Sequence, residues 1–150
     1  MGRKFRQMWA VAALVSALGA GGASAQGSPA DTEAIQRTAL DYIEGYYEGD
    51  AEKMARSLHP DLVKRRMSVE AGQSKLNPIT RDQLVEVARS GRGKSTPAAE
   101  RRKDVAVLDV FGNTATVKLD ARDWVDYLHL VKWNGRWVIL NVLWELRPKQ

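Results

Sequence analysis

The chain has 150 residues, with 23 lysine and arginine residues against 18 aspartate and glutamate residues and no cysteine, for a formal charge of +5. This length suits one ordinary domain, and a content of 44% apolar and 27% charged residues is typical of a soluble globular protein. The lack of cysteine excludes a disulfide framework, an iron–sulfur or thiolate–zinc site, a thiol nucleophile and a lipidated N-terminal cysteine.

Residues 1–25 have the pattern of a secretory signal peptide. Three basic residues open the segment, an apolar stretch follows, and Ala23-Ser24-Ala25 supplies a small-x-small cleavage site. The apolar stretch is too short and too rich in glycine for a good membrane anchor. We therefore expect cleavage near Ala25, a periplasmic or secreted protein, no membrane attachment after cleavage, and a single mature domain of residues 26–150.

Loss of this segment lowers the formal charge to about +2, so the basic character of the chain is largely that of the predicted signal. Residues 64–103 still carry a net charge of +7, but they hold no aromatic side chain on which bases could stack. We therefore expect no nucleic-acid partner.

Helical spacing and capping residues predict three helices. The first begins at Ser28-Pro29-Ala30-Asp31, with an N-cap, a proline at N1 and an acidic residue at N3, and ends at Gly49. A shorter helix follows from Asp50. The capping box Thr80-x-x-Gln83 predicts a third helix, which ends near Gly91.

Alternating apolar residues predict the strands. One strand, Leu62 to Val69, lies between the second and third helices, and a mobile loop is predicted over Ser90 to Glu100. Four further strands follow, joined in part by the hairpin signals Gly112-Asn113 and Asn134-Gly135. Helices first and a meander last predict an α+β fold, with N-terminal helices packed on a curved antiparallel sheet.

Arg65 is the first candidate binding residue. The alternation places it on one strand face with Val63 and Met67. A guanidinium among apolar neighbours is either paired with a carboxylate or available to an acidic ligand.

His129 and Tyr127 are candidates because they share a strand face with Val125 and Val131. A polar pair on an apolar face either lines a pocket or is a hydrogen-bonded pair within the core. The two histidines, His59 and His129, do not form a metal-binding pair at close spacing, so we expect no metal and no cofactor.

Tryptophan and tyrosine are concentrated in two segments. Four of the five tryptophans lie in the last 27 residues, and three of the four tyrosines lie on the first predicted helix. A helix packed over a sheet, both rich in these residues, forms a concave cavity with polar groups, or else the rings simply fill a small core.

The segments at both ends of the mature chain resemble a known family. Residues 41–50 and Leu58-His59-Pro60-Asp61-Leu62 are similar to the opening helices of nuclear transport factor two-like proteins. Residues 124–132 and 135–144 are similar to the branch called putative lumazine-binding, or SnoaL-like, proteins.

This resemblance covers about residues 32–147. It implies a cystatin-like cone, in which a strongly curved antiparallel sheet wraps around a long N-terminal helix, and it implies frequent dimerisation. The superfamily includes isomerases, dehydratases, polyketide cyclases and many non-catalytic binders, so its function transfers poorly.

Three hypotheses follow from these observations. The first is an exported, non-catalytic small-molecule-binding protein that forms a homodimer. The second is an acid–base enzyme of the isomerase, dehydratase or cyclase type, with His129 as the base and Tyr127 or Tyr42 as the acid. The third is a dimeric interaction or accessory domain. The residues expected to line a ligand pocket are Tyr42, Tyr46, Arg65, Trp124, Tyr127, His129 and Asn141.

Overall fold

A computed structural model describes residues 27–148, so the predicted signal peptide lies outside the described residues. The described chain has three helices and six strands, which confirms the predicted α+β class and adds one strand to the five predicted. They are, in chain order, α1 Pro29–Glu48, α2 Ala51–Ser57, β1 Leu58–Glu70, β2 Gln73–Thr80, α3 Arg81–Arg89, β3 Lys103–Phe111, β4 Thr114–Ala121, β5 Trp124–Trp133 and β6 Arg136–Leu146.

Local signals set the ends of α1 as the sequence predicted. The Ser28 side chain accepts a hydrogen bond from the Asp31 backbone N–H at 3.1 Å, and Gly49 ends the helix with φ of 67°. The buried side of the helix carries Ile35, Ala39 and Ile43, which are fully inaccessible. Burial of such an aliphatic side chain contributes roughly 1.5–3 kcal/mol, so this stripe holds α1 against the sheet.

Asp31 also ties the start of α1 to the sheet. Its carboxylate accepts hydrogen bonds from Lys132 Nζ and Trp137 Nε1, each at 2.8 Å. These two bonds and one from the Ser28 hydroxyl lower the pKa of Asp31 to about 2, so the group stays ionised and holds this contact in mildly acidic solution.

The six strands form one curved sheet in the order β2-β1-β6-β5-β4-β3. Every neighbouring pair is antiparallel except β1 and β6, the first and last strands of the chain, which pair in parallel. The helices cover one face, here called the inner face. The opposite, outer face has no covering element within residues 27–148.

Strand β2 was not among the elements predicted from the sequence. Its residues, Gln73–Thr80, include lysine, glutamine, asparagine and Pro78, which have low strand propensity, and most of them are exposed. The strand lies at a sheet edge, where proline is tolerated because no neighbouring strand needs its missing N–H. Ala71 and Gly72, with φ of 50° and 79°, turn the chain between β1 and β2.

The core lies between the helices and the inner face of the sheet. Its fully buried side chains come from every layer and include Ile35, Ile43, Met54, Leu62, Val117, Leu119, Leu128 and Ile139. Within residues 27–148, no helix has the length and apolar character needed to cross a bilayer.

The segment predicted as a mobile loop forms two short 3₁₀ turns, Arg92–Ser95 and Ala98–Glu100. Arg101 holds them together, because its Nε donates to the Thr96 carbonyl oxygen at 2.9 Å. The first turn packs directly on α1 at Gly93, so this segment is part of the layer that covers the inner face of the sheet.

Candidate functional site

An aromatic pocket of about 300 Å³ lies between α1, α3 and the inner face of the sheet. Helix α1 contributes Tyr42 and Tyr46, and the sheet contributes Trp124 and Trp144. Aliphatic side chains complete the wall, and three charged side chains, Lys64, Arg92 and Asp123, reach it from different parts of the chain. The remaining lining residues are Ile43, Met54, Ile79, Leu84, Val87 and Leu146.

A buried ion pair lies at the base of this pocket. Lys64 Nζ is 2.5 Å from Asp126 Oδ1, and the two side chains are 5% and 0% exposed. Lys64 Nζ also donates to the Tyr42 hydroxyl oxygen at 2.8 Å, and Trp124 Nε1 donates to the second Asp126 oxygen at 2.7 Å. Each charged group is therefore hydrogen-bonded, which is the condition under which buried charges are tolerated.

Strand alternation brings this pair together. Leu62, Lys64 and Arg66 point inward from β1, and Trp124, Asp126 and Leu128 point inward from β5. Strand β6 lies between β1 and β5 in the sheet. The Lys64 side chain therefore reaches across the inner surface of β6 to the carboxylate.

Burial changes the pKa values of Lys64 and Tyr42 at the bottom of the pocket. It lowers the pKa of Lys64, although the charge of Asp126 opposes this change. Burial also raises the pKa of the Tyr42 hydroxyl well above its usual value of 10, and the negative charge of Asp126 raises it further. Tyr42 is therefore a neutral hydroxyl at any ordinary pH.

Aromatic rings surround the ammonium group. Lys64 Nζ lies 4.6 Å from the centre of the Trp144 ring and 5.6 Å from that of Trp124. Tyr46 meets Trp124 edge to face, with ring centres 5.2 Å apart. The pocket thus offers flat apolar surfaces around a fixed polar base.

The structure brings together three of the seven residues predicted to line a ligand pocket, namely Tyr42, Tyr46 and Trp124. The other four lie on the outer face of the sheet, away from this pocket. They are Arg65, Tyr127, His129 and Asn141.

The period of two explains this division. On β5, Trp124 and Asp126 point inward, so Tyr127 and His129 must point outward. Asn141 lies opposite His129 and joins the outer face because Leu140 is an extra residue between the pairs Leu130–Ile139 and His129–Asn141.

The predicted acid–base combination of His129 with Tyr42 is therefore not assembled, since the two residues lie on opposite faces of the sheet. His129, Asn141 and Thr116 instead border a separate depression of about 300 Å³ on the outer face. Tyr127, on the same face, is 45% exposed.

Four residues of the site were not among those predicted from the sequence, namely Lys64, Asp126, Trp144 and Arg92. The burial of Asp126 was predictable from the sequence. Asp126, Leu128 and Leu130 share one face of β5, and two leucines indicate that this face is buried. No comparable signal marked Lys64, whose neighbours Arg65 and Arg66 are also basic. Residues 27–148 contain no group of three or more histidine, aspartate or glutamate side chains placed to hold a metal ion.

The helices over a curved sheet, with an aromatic pocket between them, define an α+β protein of the nuclear transport factor 2 (NTF2)-like, or cystatin-like, class. The sequence matches the family described as "Putative lumazine-binding" over residues 30–145. The chain belongs to this family, which confirms the resemblance seen in its two ends. No curated protein matches the sequence significantly.

Solved structures share the fold at low identity. An NTF2-like protein of unknown function from Shewanella baltica OS155 is 17% identical, with a TM-score of 0.60 over 83% of this chain and 100% of that one. Another from Methylobacillus flagellatus KT is 19% identical, with a TM-score of 0.61 over 83% and 98%. A ketosteroid isomerase-like protein from Erwinia carotovora atroseptica is 14% identical, with a TM-score of 0.51 over 81% and 100%. These similarities concern the fold alone.

Proposed function

We propose that this chain is an exported, non-catalytic protein that binds a small molecule in the aromatic pocket. The observation that carries the proposal is the buried Lys64–Asp126 pair at the base of an apolar, ring-lined cavity. A largely apolar cavity with a few fixed polar groups is the usual form of a small-molecule site.

The ion pair supports binding more than catalysis. Lys64 donates to both Tyr42 and Asp126, and Asp126 accepts from both Lys64 and Trp124. Each group is held by the others, so none is left as a free base facing the cavity. The pair instead forms a rigid polar surface at the bottom of the pocket, against which a ligand is oriented.

The rings indicate a flat ligand. Tyr46, Trp124 and Trp144 offer aromatic surfaces, and a volume of about 300 Å³ suits a molecule of one to three rings. The family description names lumazine, a planar bicyclic heteroaromatic compound, and a ligand of this shape fits such surfaces. We propose this shape class for the ligand.

Native mass spectrometry of the protein recovered from the periplasm or the medium tests the proposal. We expect a mass that lacks residues 1–25 and a second species that carries one co-purified small molecule. Val87→Trp, which fills the pocket from α3, should abolish the ligand-bound species because the added ring occupies the cavity.

The matched control is Val69→Trp. Val69 lies on β1 and is 64% exposed, so the same substitution there leaves the pocket open and should preserve the ligand-bound species. Equal retention of ligand by both variants would show that binding lies elsewhere. If the wild-type protein carried no ligand, the result would contradict the proposal and favour the interaction-domain alternative.

We also propose that the protein is a homodimer through the outer face. Met67, Tyr127 and Leu143 are between 45% and 57% exposed on three neighbouring strands. Tyr127 lies directly opposite Leu143. Exposed apolar side chains grouped on one sheet face favour an interaction surface, and in a two-fold symmetric dimer the same face of each subunit covers that of its partner.

We expect light scattering of the wild-type protein to give the mass of a dimer, and Leu143→Glu to give that of a monomer, because the introduced carboxylates would meet across the axis. Leu108→Glu is the control, since Leu108 is 53% exposed on the far edge strand β3. A wild-type monomer at micromolar concentration would contradict the dimer.

A further inference from the structure

Unpaired hydrogen-bond donors lie at one contact beside the aromatic pocket. Trp144 Nε1 and Arg66 Nε are both buried, and neither has a hydrogen-bond partner among residues 27–148. The Arg66 guanidinium carbon lies 5.1 Å from the centre of the Trp144 ring, so the two donors belong to the same contact. A buried N–H without an acceptor destabilises the protein, and an acceptor atom on a ligand would remove that cost.

The charges around the pocket are also unbalanced. Lys64 is neutralised by Asp126 at 2.5 Å, and the rim carboxylate of Asp123 lies 3.7 Å from Arg122 Nε, although Arg122 pairs more closely with Glu100, at 2.8 Å. Within the described part of the chain, neither Arg66 nor Arg92 lies within salt-bridge distance of a carboxylate. Two guanidinium groups thus remain for an anion.

Of the two arginines, only Arg92 is among the residues that line the pocket, and Arg66 lies against the lining residue Trp144. Arg92 lines the pocket from the 3₁₀ turn that packs on α1. Arg66 points inward from β1, one inward position beyond Lys64, and is half-buried on the Trp144 ring. A planar guanidinium can bind a carboxylate through two parallel N–H bonds, which an ammonium group cannot do.

We propose that the ligand of the aromatic pocket is a planar aromatic carboxylate. Its ring lies against Trp144 and Tyr46, and its carboxylate is bound by Arg66, with Arg92 as a second cation at the rim. This inference rests on the proposed function and adds the charge and the polar group of the ligand. A neutral ligand could offer an acceptor to one of these donors, but it would bring no negative charge to the two guanidinium groups.

Tryptophan fluorescence titration with 2-naphthoate and its neutral analogue 2-naphthamide tests the proposal at neutral pH. The two probes share one ring system and differ in the charge of one group. We expect the exported wild-type protein to bind 2-naphthoate at least about tenfold more tightly, a difference of about 1.4 kcal/mol.

Arg66→Gln should remove this preference by weakening 2-naphthoate about tenfold and leaving 2-naphthamide within about twofold. Arg65→Gln is the matched control, because it makes the same change one residue away on the outer face and should leave both affinities unchanged. Arg92→Gln changes an exposed side chain, so it tests the second cation without disturbing the core, and it should weaken 2-naphthoate alone.

Equal affinities for the two probes in wild-type protein would overturn the inference. If Val87→Trp then blocked both probes, the pocket would still be a binding site and the proposed function would stand. Binding that is insensitive to Val87→Trp would contradict both proposals. An equal effect of Arg65→Gln and Arg66→Gln would also overturn the inference, since it would show only a general effect of charge.

Discussion

Replacing Lys64 with methionine should lower the free energy of unfolding by about 3–5 kcal/mol, because the change leaves the Asp126 carboxylate buried without its cation. Asp126 is 0% exposed and would keep neutral donors such as Trp124 Nε1 but no cation. Urea denaturation followed by circular dichroism measures the loss as a lower midpoint with an unchanged slope.

Two further variants show whether the loss comes from the unpaired charge. The double variant Lys64→Met/Asp126→Leu removes both charges and fills a similar volume, so its stability should return to the wild-type value or exceed it. Lys75→Met breaks the exposed Lys75–Glu70 pair on the β1–β2 hairpin, where the cost should not exceed about 1 kcal/mol.

The double variant also separates stability from binding. Its fold is retained, but the polar base of the aromatic pocket is gone, so the co-purified ligand should be lost. Full ligand retention in this variant would show that the ion pair is a structural feature alone. A double variant as unstable as Lys64→Met would show that packing, and not the unpaired carboxylate, causes the loss.

Gly93→Ala should also destabilise the fold strongly, and we expect it to lower the free energy of unfolding by about 3 kcal/mol. A Cβ atom at Gly93 would lie 2.1 Å from the Tyr46 carbonyl oxygen and 2.6 Å from its carbonyl carbon. Both atoms belong to the backbone of α1 and cannot move away as a flexible side chain would. The 3₁₀ turn must therefore shift away from the helix.

The same shift should weaken ligand binding, because the turn carries Arg92 and packs on Tyr46, and both residues line the aromatic pocket. Thermal unfolding and the fluorescence titration measure the two effects. Gly112→Ala is the control. No atom lies within 4 Å of a Cβ there, so only its φ of 56° opposes alanine, at about 1–2 kcal/mol. Equal losses in both variants would contradict the steric explanation.

Helix α1 and the last hairpin show how much of the fold was predictable from local sequence. Ser28, Pro29 and Gly49 each act within a few residues of their own position, so their capping roles do not depend on distant contacts. The same holds at the turn between β5 and β6, where Asn134 and Gly135 take the positive φ values that their residue types favour.

Strand β2 was not predictable in this way. Its polar residues bury little surface and form a strand because they pair with β1 from Val63–Thr80 to Glu70–Gln73. The parallel pairing of β1 with β6 likewise joins segments about 80 residues apart. No local sequence pattern predicts such a contact, because the pairing stabilises the strand only when the whole sheet is assembled.

The sequence by itself determined the fold class, the family, most of the elements and the chemistry available to the protein: many rings, many arginines, few histidines and no thiols. The tertiary structure decided which of these groups meet. Each alternating strand has two faces, and the one covered by helices becomes the pocket wall. That choice placed Lys64 and Asp126 inside and Arg65 and His129 outside. The physical reason is that α1 buries Ile35 and Ile43 in one core with inner-face residues such as Leu62, Leu119 and Leu128. Once these residues face inward, strand alternation decides which face every other side chain occupies.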